Sequence, residues 1–281
     1  MSKQIFLAAG GALVVLLLFF LGRTTEQKTS DNKPVPTSSG HEKMGLDLKS
    51  LLKGTVDSAQ LAFIDSLENT CNKGDSSYKI LTYNKLINYC KDSASSPLLF
   101  GYFHSKAAKL DNSEKSLTFA AQLFLDLLRS EKNEKVAVWL TSEAIQLFDL
   151  ALAQSPANDD LKIGLGSVYI FGKSDKGGPE ETMKGIQQIL EVVRRDSNNM
   201  KAQLMLGIGG FVSGQYPKAE ARLLKVVQAQ PDNLEAAAFL ADTYAVQGNK
   251  EEAVKWYNIS KRLANNPAYS REVDARIEEL K

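Results

Sequence analysis

From residue 46 to the end of the chain, apolar residues recur at intervals of three and four. In residues 56–70, for example, Leu61, Ile64 and Leu67 would lie on one face of a helix. A proline at position 97 and the polar run 111–114 supply helix starts. No stretch alternates between apolar and polar residues as a half-buried strand does. The pattern predicts an all-α protein built from helices joined by short loops.

A different pattern occupies the N-terminus. Residues 5–21 are continuously apolar, and as a helix these 17 uncharged residues would span about 26 Å, close to the hydrocarbon thickness of a bilayer. We therefore predict a transmembrane helix within residues 1–23. A cleaved signal peptide is the alternative, but such peptides carry small residues at the cleavage site, where this chain has Phe19, Phe20 and Leu21.

The segment that follows, residues 24–45, is rich in Thr, Ser, Lys, Asp and Pro and almost free of aliphatic residues. Such a segment cannot bury enough apolar surface to offset the entropy lost on ordering it. We predict a flexible tether between the membrane and a folded domain.

The C-terminal part contains an internal repeat. Residues 200–233 align without a gap on residues 234–267, which gives a period of 34 residues. In this alignment Gly214 falls on Gly248. A fixed period of this length is typical of stacked helix–turn–helix units rather than of an enzyme with a single core.

The two units resemble tetratricopeptide repeats (TPRs). In that family, small residues let the two helices of a hairpin cross closely, and larger residues fill the space between them. Gly210 departs from the family pattern, because an aromatic residue is usual at its position. The matching residues are Leu206, Gly207, Ala219, Leu223, Val226 and Pro231 in the first unit, and Leu240, Ala241, Tyr244, Gly248, Ala253, Tyr257 and Ser260 in the second.

Weaker copies precede these two units. Residues 159–199 carry Leu165, Gly166 and Tyr169 in a first helix, but the unit is about seven residues too long, and the excess lies in a loop at 172–179. The second half of a degenerate fourth unit is recognised by Ala144, Phe148, Ala151 and Pro156.

The resemblance thus implies a TPR-like solenoid of helical hairpins behind an N-terminal transmembrane helix. We divide the chain into an anchor (1–23), a linker (24–45), a helical region with degenerate repeats (46–157), three TPR-like repeats (158–267) and a capping helix (268–281). Its polar outer face makes the last helix a suitable cap.

This layout resembles single-pass, membrane-anchored repeat proteins of bacterial envelopes, which implies a location in the inner (cytoplasmic) membrane. On orientation the sequence points both ways. Arg23, Lys28 and Lys33 after the apolar segment favour a cytoplasmic domain, whereas a four-residue head before a long apolar run is the layout of an uncleaved export signal. We expect the repeats on the periplasmic side.

Composition narrows the class of partner. The formal net charge is +1 and no basic stripe with interleaved aromatic residues occurs, so we expect no nucleic-acid binding. The two cysteines, Cys71 and Cys90, lack the CxxC spacing of a metal or redox site. They are either small buried residues or, in an oxidising compartment, one disulfide.

Catalytic motifs are not recognised in the sequence. Residues 172–174 resemble the end of a phosphate-binding loop, but Ser167 stands where that motif requires glycine, and a helix rather than a strand precedes it. His41 and His104 belong to no metal-binding motif. We therefore predict no enzyme activity, no cofactor and no metal site.

The resemblance also implies where a partner would bind, because the first helix of each hairpin lines the concave side of such arrays. We expect this groove, mixed in polarity and partly apolar, to bind an extended segment or a helix of a protein partner. Alternatively, many of its residues only pack against the neighbouring repeat. The candidate groove residues are Ile163, Ser167, Ile170, Lys201, Leu204, Ile208, Phe211, Glu235 and Asp242.

The leading functional hypothesis is a membrane-anchored TPR adaptor or scaffold that holds a protein partner near the bilayer, through this groove or as a homo-oligomer. The alternative is an accessory or assembly factor for an envelope pathway, such as the secretion translocon or cytochrome c maturation. A third hypothesis, an enzyme site among the N-terminal helices, lacks a set of acid, base and nucleophile.

Overall fold

Twelve α-helices and no strand make up the part of the chain that this computed structural model describes, residues 57–71, 74–92, 96–172 and 179–281. The all-α prediction is confirmed for these residues. In chain order the helices are α1 Ser58–Cys71, α2 Ser76–Asp92, α3 Pro97–Asp111, α4 Glu114–Ser130, α5 Glu134–Gln154, α6 Asp159–Phe171, α7 Pro179–Arg195, α8 Met200–Val212, α9 Tyr216–Ala229, α10 Leu234–Val246, α11 Lys250–Ala264 and α12 Pro267–Glu279.

The chain divides into two units, Met1–Lys43 and Met44–Lys281, and every described residue belongs to the second. The predicted transmembrane helix and tether, residues 1–45, lie outside the described residues. So does most of the predicted loop at 172–179, of which residues 173–178 are not described.

Successive helices pair as hairpins. Helix α2 packs on α3, α4 on α5, α6 on α7, α8 on α9 and α10 on α11, and each hairpin packs on the next. Helix α1 packs on α2, and α12 packs on α11. The hairpin α4/α5 is the degenerate unit that the sequence indicated by its second half alone. Since packing runs mainly between neighbouring hairpins, the array is a solenoid.

Asparagine side chains fix where the later helices begin. The side-chain oxygens of Asn158, Asn199 and Asn233 accept hydrogen bonds from backbone N–H groups in the first turns of α6, α8 and α10. Asn249 and Asn266 do the same for α11 and α12. Asparagine is among the best residues for this role because it satisfies N–H groups that have no partner within the helix.

Two glycines shape the turns between the helices of the regular hairpins. Gly214 and Gly248 have φ angles of 74° and 79°, in the left-handed region. A Cβ atom at either position would meet nothing within 4 Å, so the constraint is the backbone conformation and not the available space. The 34-residue alignment that pairs these glycines therefore pairs equivalent turns.

Small residues let the helices of a hairpin cross closely, as the resemblance predicted. A Cβ on Gly207 of α8 would lie 2.7 Å from Cγ of Leu223 on α9, and one on Gly210 would lie 3.2 Å from the backbone nitrogen of Ala219. The aromatic residue usual at the position of Gly210 would not fit here, because the backbone of α9 occupies that space.

Buried apolar side chains form two clusters. The first runs from α1 to α6 and includes Phe103 and Phe124, and the second runs from α6 to α12 and includes Ile189. Phe171, at the end of α6, packs against both clusters. Val273 of α12 is 1% exposed, so the last helix covers the end of the second cluster. The hydrophobic core is therefore continuous along the array.

Helix α5 is the one described helix that is long and apolar enough to cross a membrane, and half of its apolar window is buried within the fold. It packs against α4 and α6 and contributes Leu140, Leu147 and Phe148 to the first cluster. These contacts make α5 a core helix of the array.

Candidate functional site

The first helices of the hairpins lie on the inside of the curve. Helices α4, α6, α8 and α10 each contact the next one in that series, whereas no comparable contact joins α5, α7, α9 and α11 within the described part of the chain. Closer spacing of the first helices means that the array bends toward them. We call their common surface the inner face.

The three candidate residues on α6 are buried. Ile163, Ser167 and Ile170 are 1%, 3% and 4% exposed. The Ser167 hydroxyl donates to the Ile163 carbonyl oxygen at 2.7 Å, so its hydrogen-bonding capacity is used within the helix. Ile170 packs toward α8, where a Cβ on Gly209 would lie 3.0 Å from its Cδ1 atom. These side chains join one hairpin to the next.

The apolar candidates on α8 differ in exposure. Leu204 is 8% exposed and Ile208 is fully buried. Phe211 is half-buried, and its ring makes edge contacts with Phe239 of α10 and Tyr216 of α9, at centroid distances of 5.7 and 5.9 Å. Of these three, Phe211 alone presents a substantial apolar surface on the inner face.

The three charged candidates are each held by a neighbour. Lys201 Nζ lies 2.8 Å from Asp160 Oδ1, and both side chains are largely exposed. Glu235 pairs with Arg129 of α4. Asp242 accepts hydrogen bonds from the Tyr257 hydroxyl at 2.6 Å and from Arg276 Nη1 at 2.9 Å.

The Asp242 contacts form a polar link between α10, α11 and the capping helix. Burial raises the pKa of the Tyr257 hydroxyl, and its hydrogen bond to Asp242 raises it further. Burial alone lowers the pKa of the Arg276 guanidinium, but the Asp242 carboxylate more than offsets this and the net shift is upward. Asp242 therefore holds the end of the array together.

Five of the nine candidate groove residues are thus buried, and Lys201, Phe211, Glu235 and Asp242 remain at the surface. The structure brings these four onto one face, across α8 and α10, but shows no partner there. Their role in binding stays a prediction.

Sequence reasoning missed three residues that recur at one position of the inner face. Phe171, Val212 and Val246 end α6, α8 and α10, and we call them the inner strip. Val212 and Val246 are 50% and 55% exposed, and Phe171 is half-buried. The 34-residue alignment already pairs Val212 with Val246, so it held the signal for the strip.

Arg129, a second omission, reaches the strip from α4. Its guanidinium carbon lies 4.7 Å from the ring centre of Phe171, and the same side chain pairs with Glu235. No local pattern in the sequence announces this contact, because its partners lie in other hairpins.

His104 lies in an aromatic contact of α3 and α4. Its ring is 4.5 Å from that of Phe100 and 5.0 Å from that of Phe119, and burial lowers its pKa. Across the described ranges, no three His, Cys, Asp or Glu residues are placed to hold a metal ion.

Residues 212–271 match the sequence model of the tetratricopeptide repeat family. This part of the chain is a tetratricopeptide repeat array. It spans helices α9 to α11 with parts of α8 and α12, so it includes Val246, Glu235 and Asp242. Tetratricopeptide repeats generally mediate protein–protein interactions. None of the curated proteins matches the chain.

Solved structures of TPR proteins share the fold. TTC0263, a thermophilic TPR protein in Thermus thermophilus, is 17% identical with a TM-score of 0.51 over 76% of this chain and 98% of its own. YrrB, a TPR protein with an unusual peptide-binding site, is 20% identical with a TM-score of 0.44 over 76% and 98%. MamA from Desulfovibrio magneticus RS-1 is 16% identical with a TM-score of 0.47 over 68% and 97%.

Proposed function

We propose that this chain is a membrane-anchored adaptor whose tetratricopeptide repeats hold a protein partner beside the bilayer. The uncharged apolar segment 5–21 is long enough for a single span, and residues 24–45 would tether the repeats to it. The repeats would lie on the periplasmic side of the inner membrane. The interaction role follows from the repeat family matched by residues 212–271.

The observation that carries the binding role is the inner strip. Val212 and Val246 expose half or more of their surface at equivalent positions of successive hairpins. Phe211 and Phe239 lie half-buried between them. Apolar side chains exposed next to one another, with charged residues around them, are typical of protein-contact surfaces.

The strip also suits a particular form of ligand. Its residues occur once per hairpin, which matches a partner segment that runs along the first helices and offers apolar side chains at intervals. The pairs Lys201–Asp160 and Asp242–Arg276 lie on the same first helices and offer polar contacts at the rim. We therefore propose an extended segment or a helix as the ligand.

Aspartate substitutions in the strip test this role. The full-length chain, cross-linked in its native membrane and purified, should retain its partner as the wild type and lose it in Val212→Asp and Val246→Asp. Met183→Asp is the matched control, because Met183 is 40% exposed but lies on α7, a second helix. Equal partner yield from all four chains would contradict the proposed surface.

Membrane anchoring and orientation need a separate test. A full-length chain with a C-terminal tag should stay in the membrane fraction after an alkaline wash. Protease added after the outer barrier is opened should then digest the repeats without lysis. Release by the wash would refute the anchor, and protection from the protease would refute the periplasmic location.

A further inference from the structure

One ion pair joins hairpins that are not neighbours. Arg129, in the last turn of α4, donates a hydrogen bond from Nη2 to Oε1 of Glu235, in the first turn of α10. The two residues are 106 positions apart. Because the hairpins α6/α7 and α8/α9 lie between them in the array, the contact spans the inner face.

Arg129 also covers one end of the inner strip. Its guanidinium lies over the ring of Phe171, 4.7 Å from the ring centre, a favourable position for a cation on an aromatic face. A partner side chain that contacted the same face of Phe171 would need the space that Arg129 fills. Val212 and Val246, the other two strip residues, remain half exposed.

The charges of this contact favour one that can open. The Arg129 and Glu235 side chains keep 36% and 28% of their exposure, and pairs of this kind are weak and screened by salt. Burial lowers the pKa of Arg129, although the nearby Asp126 carboxylate acts in the opposite direction. Burial therefore disfavours the charged guanidinium in this position.

Glu235 does not depend on Arg129 for its stability. It is the acidic residue in the first turn of α10, where the helix dipole favours a carboxylate. Separation of the pair thus leaves Glu235 in a suitable environment and returns Arg129 to water.

We propose that the Arg129–Glu235 pair is a clasp that closes the inner strip in the free protein and is released when a partner occupies the strip. In the closed state the clasp ties α4 to α10 and covers Phe171. In the open state α4 moves away from α10, and the strip is accessible from Phe171 to Val246. The gating role rests on the proposed function, whereas the opening itself requires no partner.

Pulsed electron spin resonance on the full-length chain in detergent tests the clasp. Spin labels on Lys132→Cys and Asp232→Cys would report the distance between the end of α4 and the start of α10, since both positions are exposed. The native Cys71 and Cys90 are buried, and labelling of the folded chain avoids them.

Arg129→Gln and Glu235→Gln should each shift the label distances to longer and broader distributions. The wild type should behave in the same way in about 1 M salt, where the Debye length is about 3 Å. Arg129→Glu combined with Glu235→Arg should restore the short distance. Lys162→Gln, which breaks an ion pair with Glu191 inside one hairpin, should leave it unchanged. An unaltered distribution in both glutamine variants would overturn the clasp.

The gating role has its own readout. Partner yield in the cross-linking experiment should rise in Arg129→Gln relative to the wild type. A shift in label distance without a rise in yield would overturn gating. Absence of any partner from every variant would count against the proposed function, and the label distances would still decide whether the clasp exists.

Discussion

Gly166 of α6 and Gly185 of α7 lie against each other where the two helices cross. A Cβ on Gly185 would lie 2.4 Å from the Gly166 carbonyl oxygen, and one on Gly166 would lie 2.9 Å from the Gly185 carbonyl oxygen. Backbone atoms cannot move aside as a flexible side chain can. A side chain at either position would therefore push the helices of this hairpin apart.

Gly185→Ala should destabilise the protein. Alanine in place of glycine normally stabilises a helix by up to about 1 kcal/mol, but overpacking at a crossing costs about 1–3 kcal/mol, and we expect the second effect to dominate. The urea midpoint of unfolding measures the result. Met183→Ala, on the exposed side of the same helix, should change stability by less than about 0.5 kcal/mol. An unchanged or raised midpoint for Gly185→Ala would refute the close crossing.

The turn glycines make a different prediction, because space is not their constraint. Gly214→Ala and Gly248→Ala should each cost about 1–2 kcal/mol, since φ is positive at both positions. Gly214→Asn and Gly248→Asn should cost less, because asparagine tolerates the left-handed region better. Thermal unfolding of the four variants provides the comparison. Asparagine variants no more stable than the alanine variants would contradict this explanation.

Tyr244 should contribute to the alkaline limit of stability. Burial, and then the Glu220 carboxylate that accepts its hydrogen bond at 3.3 Å, raises its pKa from 10.0 to about 12. A pKa raised by folding gives a stabilisation that is complete below the unfolded pKa and is lost as the pH rises through the folded one. The free energy of unfolding should therefore fall between pH 10 and pH 12.

Tyr244→Phe isolates that contribution, because phenylalanine keeps the ring and removes the ionisation. The decline in the free energy of unfolding over this pH range should be shallower in the variant than in the wild type. Parallel pH profiles for the two proteins would show that Tyr244 titrates normally in the folded state.

The two cysteines should be unreactive until the protein unfolds. Both are free thiols in the structure, Cys71 is fully buried and Cys90 is 1% exposed. Burial raises the pKa of the Cys90 thiol to about 11, which leaves little of the reactive thiolate at neutral pH. A thiol-specific dye should label neither residue in the native chain and both in denaturant. Fewer than two labelled cysteines in denaturant would revive the disulfide alternative.

The sequence predicted the hairpins of the C-terminal half well, because their signals are local. Asn199 and Asn233 start helices, Gly214 and Gly248 end them, and apolar residues between them follow the helical period. The hairpin α2/α3 lacks the repeat signature, so its pairing emerged only from the structure.

The inner face was harder to predict, because sequence position does not show how closely successive hairpins approach. Ile163 and Ile208 occupy inner positions by the family pattern, yet both are buried. Arg129 offers the sharpest case, since its contact with Glu235 depends on the curvature accumulated over two intervening hairpins. Neither residue has a local feature that marks the other as its partner.

Site-specific photo-cross-linking tests the central claim, that the inner face holds a protein partner, most directly. A photoreactive amino acid would replace Val246 in one full-length chain and Met183 in another, each expressed in its own cells. The account predicts a discrete cross-linked protein from position 246 that is lost when Val212→Asp is added, and none from position 183. The same product from both positions, or one that survives Val212→Asp, would contradict it.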